Sequence, residues 1–487
     1  MINIKALRNK LINAAIQGKL TEQLPEDGTA EELFEQIQIE KQAQIKAKKI
    51  KKEKPLPPIN EDKSPFEVPS NWKWVYLGSI FQHNSGKALN AKDSEGDYYE
   101  YITTSNVYWD KLDVGNLKRM RFTKSELEKC TIKKGDLLVC EGGDIGRSAI
   151  WSYDYGMRIQ NHIHRLRGYI NDINSYFYYY VMRMYKHSGK INGIGIGLQG
   201  LSSNKLHSLI IPLPPLAEQK RIVAKLDELN ALLDTIDCLQ KQYNNNRAAL
   251  KRKLIEAAIQ GKLTEQLPED GTAEELFVQI QAEKQAQIKA KKIKKEKLLP
   301  PINEDEVPFE VPKNWIWCKL KDITSNKTLN DGDWVLSKDM VEDGPVKLIQ
   351  LGNIGDLEYR NKNMKYLTEE KFNLLHGKQI YPGYLLINRM VSDRMFVCIL
   401  PKIEGILITA VDVCWIAPQN KFYEIKYLMY MLASSTLQKE VKALGYGVTR
   451  FRISKLNLIN IHFPLPPLAE QKRIVAKLDE LLAILDG

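Results

Sequence analysis

Three short strings in this chain have residue types that could do chemistry, and each lacks something the chemistry requires. Gly195-x-Gly197-x-x-Gly200 satisfies the G-x-G-x-x-G spacing with which glycines let a helix N-terminus approach a pyrophosphate. LSSNKL and a strand-like run follow it, so the βαβ context is missing. EGGDIGRS at 141–148 approaches a phosphate-binding loop, but its spacing is wrong and Arg147 stands where the lysine belongs. His162 and His164 lie two apart, on one face of an expected strand. Without a third ligand nearby they read as packing or nucleic-acid contacts and not as a metal site. No N-P-P-[FY] or D-P-P-[FY] string, which would hold a flipped adenine for methylation, is present. The chain reads as non-catalytic, with no cofactor.

Charge points to a binding role. The formal net charge is +11 and the pI about 9.0, which favours an anionic partner, most simply nucleic acid. Base reading in a major groove uses Arg or Lys against guanine and Asn or Gln against adenine, from loops or strand ends. In the first half of the chain the candidates are Lys87, Asn106, Arg119, Arg121, Arg147, Gln160, Asn161, Gln199 and Asn204. In the second half they are Lys327, Asn330, Asn353, Arg389, Arg394, Arg450 and Arg452. Glycine-rich loops, GIGIGLQG and GYGVTRF, precede the last strand of each half and would let backbone come close to a groove. The basic run KAKKIKKEK, at 46–54 and 289–297, reads first as a solvated helix end, where cations suit the dipole. Phosphate contact is its sharper alternative.

These candidates must be positioned by a frame, and the frame is a repeat. PLPPLAEQKRIVAKLDEL at 212–229 returns unchanged at 464–481. A second block, 14–54, returns at 257–297 with only Glu35/Val278 and Ile39/Ala282 differing within its matched parts. In the middle of the chain the two blocks adjoin; at the ends they are split. The order is half repeat, variable, whole repeat, variable, half repeat, which describes a closed pseudo-twofold object. Identical surfaces imply two identical docking sites.

Helical spacing of Ile4, Leu7, Leu11, Ala14 and Ala15 predicts a helix over 1–17, ended at Gly18. Thr29 and Glu32 form a capping box for a second helix, predicted to run into KAKKIKKEK and stop at prolines 55, 57 and 58. Residues 216–259 predict one long helix, about 66 Å at 1.5 Å per residue. Its seam of Leu216, Ile222, Val223, Leu226, Leu229, Leu232, Leu233, Ile236 and Leu239, resumed at Leu250 and Leu254, is expected to be core. Its expected antiparallel mate is 468–486 taken together with 1–17. Thr272 and Glu275 cap the repeat of the short helix. The variable segments 71–211 and 314–463 mix strand-like runs with helices, SYFYYYVMRMYKH being one. They start and end alike (NWKWVYL and NWIWCKL; SLIIPLPP and INIHFPLPP) but differ inside.

The six cysteines form no CxxC, MINIKALRNK lacks the apolar core of a signal peptide, and no run nears ~18 apolar residues. A cytoplasmic protein without a membrane span is expected.

The set L-P-P-L-A-E-Q-x-x-I-V at 213–223 and 465–475, P-x-x-W-x-W-x-x-L at 69–77 and 312–320, and G-D-L-L-V at 135–139, in this cyclic order, resembles the specificity subunits of type I restriction–modification enzymes. The likeness spans essentially the whole chain, with the long arm 1–54 as a departure. It implies an α+β chain with two globular mixed α/β target recognition domains separated by long antiparallel coiled-coil helices, in a pseudo-twofold cyclic repeat. The divisions would be an arm at 1–54, recognition domains at 55–211 and 298–463, a helical spacer at 212–297 and a closing half-region at 464–487. Implied partners are double-stranded DNA, two copies of an adenine-N6 methyltransferase subunit and a translocating restriction subunit. The spacer would set the gap between half-sites. A DNA-independent symmetric scaffold pairing two identical subunits is the alternative; steep loss of DNA binding with salt would separate the two.

Overall fold

The computed structural model describes residues 2–59, 64–90, 95–191, 200–294, 302, 307–362 and 364–487. The chain divides into two compact units, Met1–Lys241 and Gln242–Gly487. Each is a helical frame built from the repeated letters, carrying a two-sheet interior built from the variable ones.

In the first unit the helix Ile4–Ile16 is capped by Asn3, whose side chain accepts from the Ala6 amide at 3.0 Å. It ends with Gly18 at φ +69°, a left-handed exit that a side chain would resist. A Cβ there would also lie 2.4 Å from Pro69, and its counterpart Gly261 stands 2.3 Å from Pro312. The capping box forms as predicted: Thr29 N–H donates to Glu32 at 3.0 Å and Glu32 N–H to Thr29 Oγ1 at 3.3 Å. The helix Ala30–Lys46 then stops earlier than predicted. Lys48 adopts φ +54°, and the amides of Lys48 and Lys49 turn back to the carbonyls of Ile45 and Gln44. Most of the basic run therefore lies beyond the helix. The second unit does the same with Ala273–Lys289 and Lys291.

Strand Lys73–Tyr76 pairs antiparallel with Ile210–Leu213, so the variable segment begins and ends at one place. Ile316–Lys319 and His462–Leu465 do this in the second unit. In the strand-like run NWKWVYLGSI the strand gives way after Tyr76 to a helical turn, Leu77–Ile80.

Two sheets follow in each interior. In the first unit one sheet orders Phe81–Ser85, Ile163–Gly168, Leu137–Cys140, Ser148–Ile150, and the other Lys118–Phe122, Asp97–Ile102, Met157–Ile159, Thr131–Ile132. In the second unit the orders are Leu329–Asp331, Val413–Ile416, Leu385–Asn388, Val397–Ile399, and Lys365–Leu367, Val346–Ile349, Ile406–Thr409. The same neighbours recur, including one parallel pair in each second sheet. The interiors diverged in sequence while keeping one strand order, except that the place of Thr131–Ile132 is taken in the second unit by a single antiparallel bridge, Ile380 to Leu407.

The long helix spans Leu216–Ile259, 44 residues. In the first unit Ile4–Ile16 lies antiparallel beside it: Ile2 N–H reaches Gln240 at 2.9 Å, and Arg8 reaches Asp234 at 2.5 Å and Asn230 at 3.2 Å. In the second unit the helix Leu468–Asp486 lies beside its later part, with Lys251 on Asp486. That ion pair is the counterpart of Arg8–Asp234. The seam only partly matches expectation. Ile222, Val223, Leu226 and Leu233 are buried, but Leu232, Leu239 and Leu250 are exposed. These three, with exposed Tyr243, form a second stripe at 7–4–7 spacing, roughly a quarter-turn from the first. Each packed stretch of the helix buries one face, and periodicity cannot tell which of two apolar stripes gains the partner.

Candidate nucleic-acid interface

The motifs that begin and end each variable segment meet at one buried carboxylate. Glu218, fully buried, accepts from Trp72 Nε1 at 2.8 Å and from Gln23 Nε2 at 2.9 Å. Glu470 accepts from Trp315 and Gln266 at the same distances. The next residue ties a second junction. Gln219 donates to the Pro214 carbonyl at 2.8 Å and accepts from the Asn174 amide at the start of helix Ser175–His187. Gln471 does so with Pro466 and Glu424. Arg221 grips Asp27 with both terminal nitrogens, at 2.6 and 2.5 Å, and Arg473 reaches Asp270 at 2.7 Å. The P-x-x-W and L-A-E-Q letters are thus a joint that fixes each two-sheet interior on its helical frame.

Several candidate readers of the first unit come together between its sheets. Lys87 bridges Gln160 in parallel, and the Asn161 amide donates to the Lys87 carbonyl at 2.9 Å. The Lys87 ammonium sits 2.8 Å from Glu126, and that hydrogen bond, then the Thr123 amide, holds the Glu126 carboxyl below its ordinary value. Close by, Arg147 donates to the Thr104 carbonyl at 2.5 Å and lies over the Tyr108 ring. Arg119 and Arg121 stand apart, on the edge strand Lys118–Phe122. Arg121 lies over exposed Tyr98 and donates to the Gly96 carbonyl; Arg119 is exposed and reaches the Tyr98 carbonyl at 3.3 Å. Asn204 is exposed on the short helix Ser203–His207. Gln199, with most of the GIGIGLQG loop, lies outside the described residues.

In the second unit Arg389 is buried, and it donates to the carbonyls of Ile453 (3.2 Å) and Val411 (2.8 Å) beside Asp331 and Asp412. Arg394 pairs with Asp356 at 3.0 Å and with the Ala433 carbonyl. Asn330 joins the Asn326 carbonyl to Lys455. Arg452 lies over Tyr446, 3.8 Å from Asp412. Lys327 and Arg450 are exposed.

Asn106 and Asn353 have the same position in the two interiors. Each side-chain oxygen accepts from an amide three residues back (Thr103, Gln350), and each side-chain nitrogen donates to a carbonyl seven residues on (Asp113, Arg360). Their amides close the same loop twice. His162 is exposed beside Glu141, whereas His164 is buried against His83, so the two do not share a face.

Other exposed groups were not visible to a search for polar readers. Tyr446 and Arg452 exchange two backbone bonds of 2.9 Å, closing a hairpin whose tip residue Val448 is 101% exposed. Trp334 is 67% exposed, three residues after strand Leu329–Asp331. An apolar residue at a hairpin tip is the signal that could have found Val448. Among the described residues, no helix is long and apolar enough to cross a membrane.

Comparison with known proteins agrees with this architecture. The family model described as "Type I restriction modification DNA specificity domain" matches residues 69–244 and 312–486. The chain is 24% identical to the type I restriction enzyme EcoEI specificity subunit of Escherichia coli, covering 100% of this chain and 90% of that one. It is 25% identical to the EcoAI specificity subunit of the same species, covering 99% and 89%. A solved structure described as the structural basis of complex assembly and conformational transition of the type I R-M system aligns with a TM-score of 0.55 at 19% identity. It covers 87% of this chain and 93% of that one, and shows the shared fold.

Proposed function

Because the chain belongs to the type I restriction–modification DNA specificity family, we propose that it is the non-catalytic reader of such an enzyme, acting on cytoplasmic DNA. Residues 55–211 and 298–463 are its two recognition domains, each reading one half of a split site. The helical regions 1–54, 212–297 and 464–487 dock two copies of an adenine-N6 methyltransferase subunit, through which a restriction subunit joins. The observation that carries this reading is one frame and one interior topology built twice around different exposed side chains. A scaffold alone would have no use for two different interiors.

The candidate readers divide by their surroundings. Asn204, Lys327 and Arg450 are exposed and placed to reach bases or phosphates, with Val448 and Trp334 as apolar contacts beside the polar ones. Arg119 and Arg121, on an edge strand, suit phosphates. Arg389, Asn106 and Asn353 support the surfaces from below. For the methyltransferase, Leu232 (53% exposed) and its repeat counterpart Ile484 (69% exposed) offer matching apolar contacts on two otherwise similar helix faces.

The test is a methylation map. The chain is co-expressed with an adenine-N6 methyltransferase subunit of a type I system from the same genome, and N6-methyladenine is located across the host genome. A two-part motif with a fixed gap, absent without this chain, is expected. A stable complex without methylation, and no salt-sensitive binding to mixed duplex DNA, would overturn the reading in favour of the scaffold.

A further inference from the structure

The segment leading into the closing strand is clamped to the sheet in both units by one backbone bond. The Leu201 amide donates to the Glu141 carbonyl at 2.9 Å, and the Ile453 amide to the Arg389 carbonyl at 3.0 Å. Leu201 and Ile453 are repeat counterparts, as are Glu141 and Arg389, each following the third strand of its sheet order. The side chains that hold the clamp differ in chemistry. In the second unit Arg389 itself donates to the Ile453 carbonyl. In the first unit His164 does the equivalent work: its Nε2 lies 2.7 Å from the Leu201 carbonyl, so that nitrogen carries the proton. His164 Nδ1 is then an acceptor, and His83 Nε2, 3.0 Å away, donates to it. The flanking contacts place acid and base in the opposite order: Glu141 lies 3.6 Å from the His162 ring in one unit, and Arg389 lies 3.7 Å from Asp412 in the other.

We infer that His164 and His83 are positioning residues for the segment 201–207, which presents Asn204, and that acidification releases this segment in the first unit while the equivalent segment of the second stays clamped. The role of Asn204 in this statement rests on the DNA-reading function proposed above; the clamp itself does not.

The physical reason is burial of a neutral relay. Around the pair stand Arg165 and His162 from the same stretch of chain, Glu141 from the neighbouring strand, and His207, itself beside Glu53 and Lys41. Burial, then the neighbouring His164, His207 and Arg165, push His83 down to about 3. Burial lowers His164 as well, against the Leu201 carbonyl and Glu141. The sign follows. A base whose folded value is depressed is neutral when clamped and takes up a proton when the segment opens to water. The clamp is therefore fully present above the ordinary histidine value of 6.5 and weakens as pH falls from 6.5 toward about 3. In the second unit the donor to the equivalent carbonyl is a guanidinium, a group type that does not titrate in this range.

The experiment is hydrogen exchange on the intact chain at pH 7 and pH 5, corrected for intrinsic rates. Opening that hydrates one histidine lowers protection of the Leu201 region roughly twenty-fold between these pH values. Peptides around Ile453 should hold theirs. The double variant His83→Gln/His164→Gln keeps a donor toward the Leu201 carbonyl and leaves neither relay position able to take a proton, so its fall in protection between pH 7 and pH 5 should be much smaller than that of the parent chain. His164→Leu removes the donor and should lose protection at both. Unchanged protection around Leu201 at pH 5, or an equal loss around Ile453, would overturn the inference. No DNA is needed for this readout, so a failed methylation map and a failed clamp are told apart. Once the half-sites are mapped, discrimination at the first should fall at pH 5.5 while the second keeps its own. Equal loss at both would overturn the link from clamp to reading.

Discussion

The carboxylate joints and the loop clamps are both built twice, and they were copied in different ways. Trp72–Glu218–Gln23 and Trp315–Glu470–Gln266 repeat the same atoms at the same distances. The clamps at Leu201 and Ile453 repeat only the backbone bond and exchange a histidine relay for an arginine. Both solve one problem, since a buried carbonyl or carboxylate needs a partner. The joint keeps its letters because four donors, from Thr21, Gln23, Asn71 and Trp72, converge on one carboxylate. The clamp is free to change because any buried donor serves a carbonyl. What is held constant in this protein is satisfaction of polar groups; identity is held only where several partners must be satisfied at once.

The largest effect is expected at the joints. Glu218→Leu leaves Trp72 Nε1 without a partner in the interior and removes the acceptor shared by Thr21, Gln23 and Asn71, and should cost its unit about 4 kcal/mol. Glu470→Leu should cost the other unit the same. Urea unfolding followed by hydrogen exchange in each unit reads the two separately, because they need not unfold together. Costs differing by more than about 1 kcal/mol would break the claim that equal bonds carry equal weight.

Arg389→Met tests the other half of the comparison. It removes the donor to Ile453 and Val411 and leaves Asp331 and Asp412 facing each other, at a cost of about 3 kcal/mol to the second unit. Smaller effects follow at the paired loop closures. Asn106→Ala and Asn353→Ala each lose an equivalent pair of bonds, for about 1–2 kcal/mol apiece by thermal or urea denaturation. A loss in DNA binding from either without a loss in stability would return these asparagines to the list of direct readers.

The same contrast marks what could be read from the letters. The helix Leu216–Ile259 was legible to the residue, because prolines precede it, Gly261 follows it and apolar spacing runs between. Both threonine capping boxes were legible for the same local reason. Burial of one apolar stripe and exposure of Leu232, Leu239 and Leu250 was not, since it depends on where a distant helix lies. Asn106 and Arg389 look like readers in the sequence because asparagine and arginine suit bases and buried carbonyls equally well. Val448 does not, because an apolar residue is assigned to the core by default. The common topology of the two interiors was hidden by the same freedom that changed the clamp: strand order survives replacement of the side chains that fill it.

The smallest predicted effect is a gain, and it probes whether exact repetition means optimal repetition. Lys48 and Lys291 both hold a left-handed conformation, φ +54°, at the end of their helices, where glycine carries no Cβ penalty. Lys48→Gly and Lys291→Gly should each stabilise the folded unit by about 0.5–1 kcal/mol, less whatever the helix end gains from the lysine charge. The measurement is the urea midpoint of each unit in single and double variants, and the two gains should add because the sites lie in separate units. A gain would mean that the duplicated lysine is kept for its charge at a small cost in stability, in line with phosphate or partner contact by the basic runs. A neutral or destabilising result in both copies would mean that the lysine's own interactions at the helix end outweigh its backbone strain. The basic run would then be explained by local structure, with no ligand required.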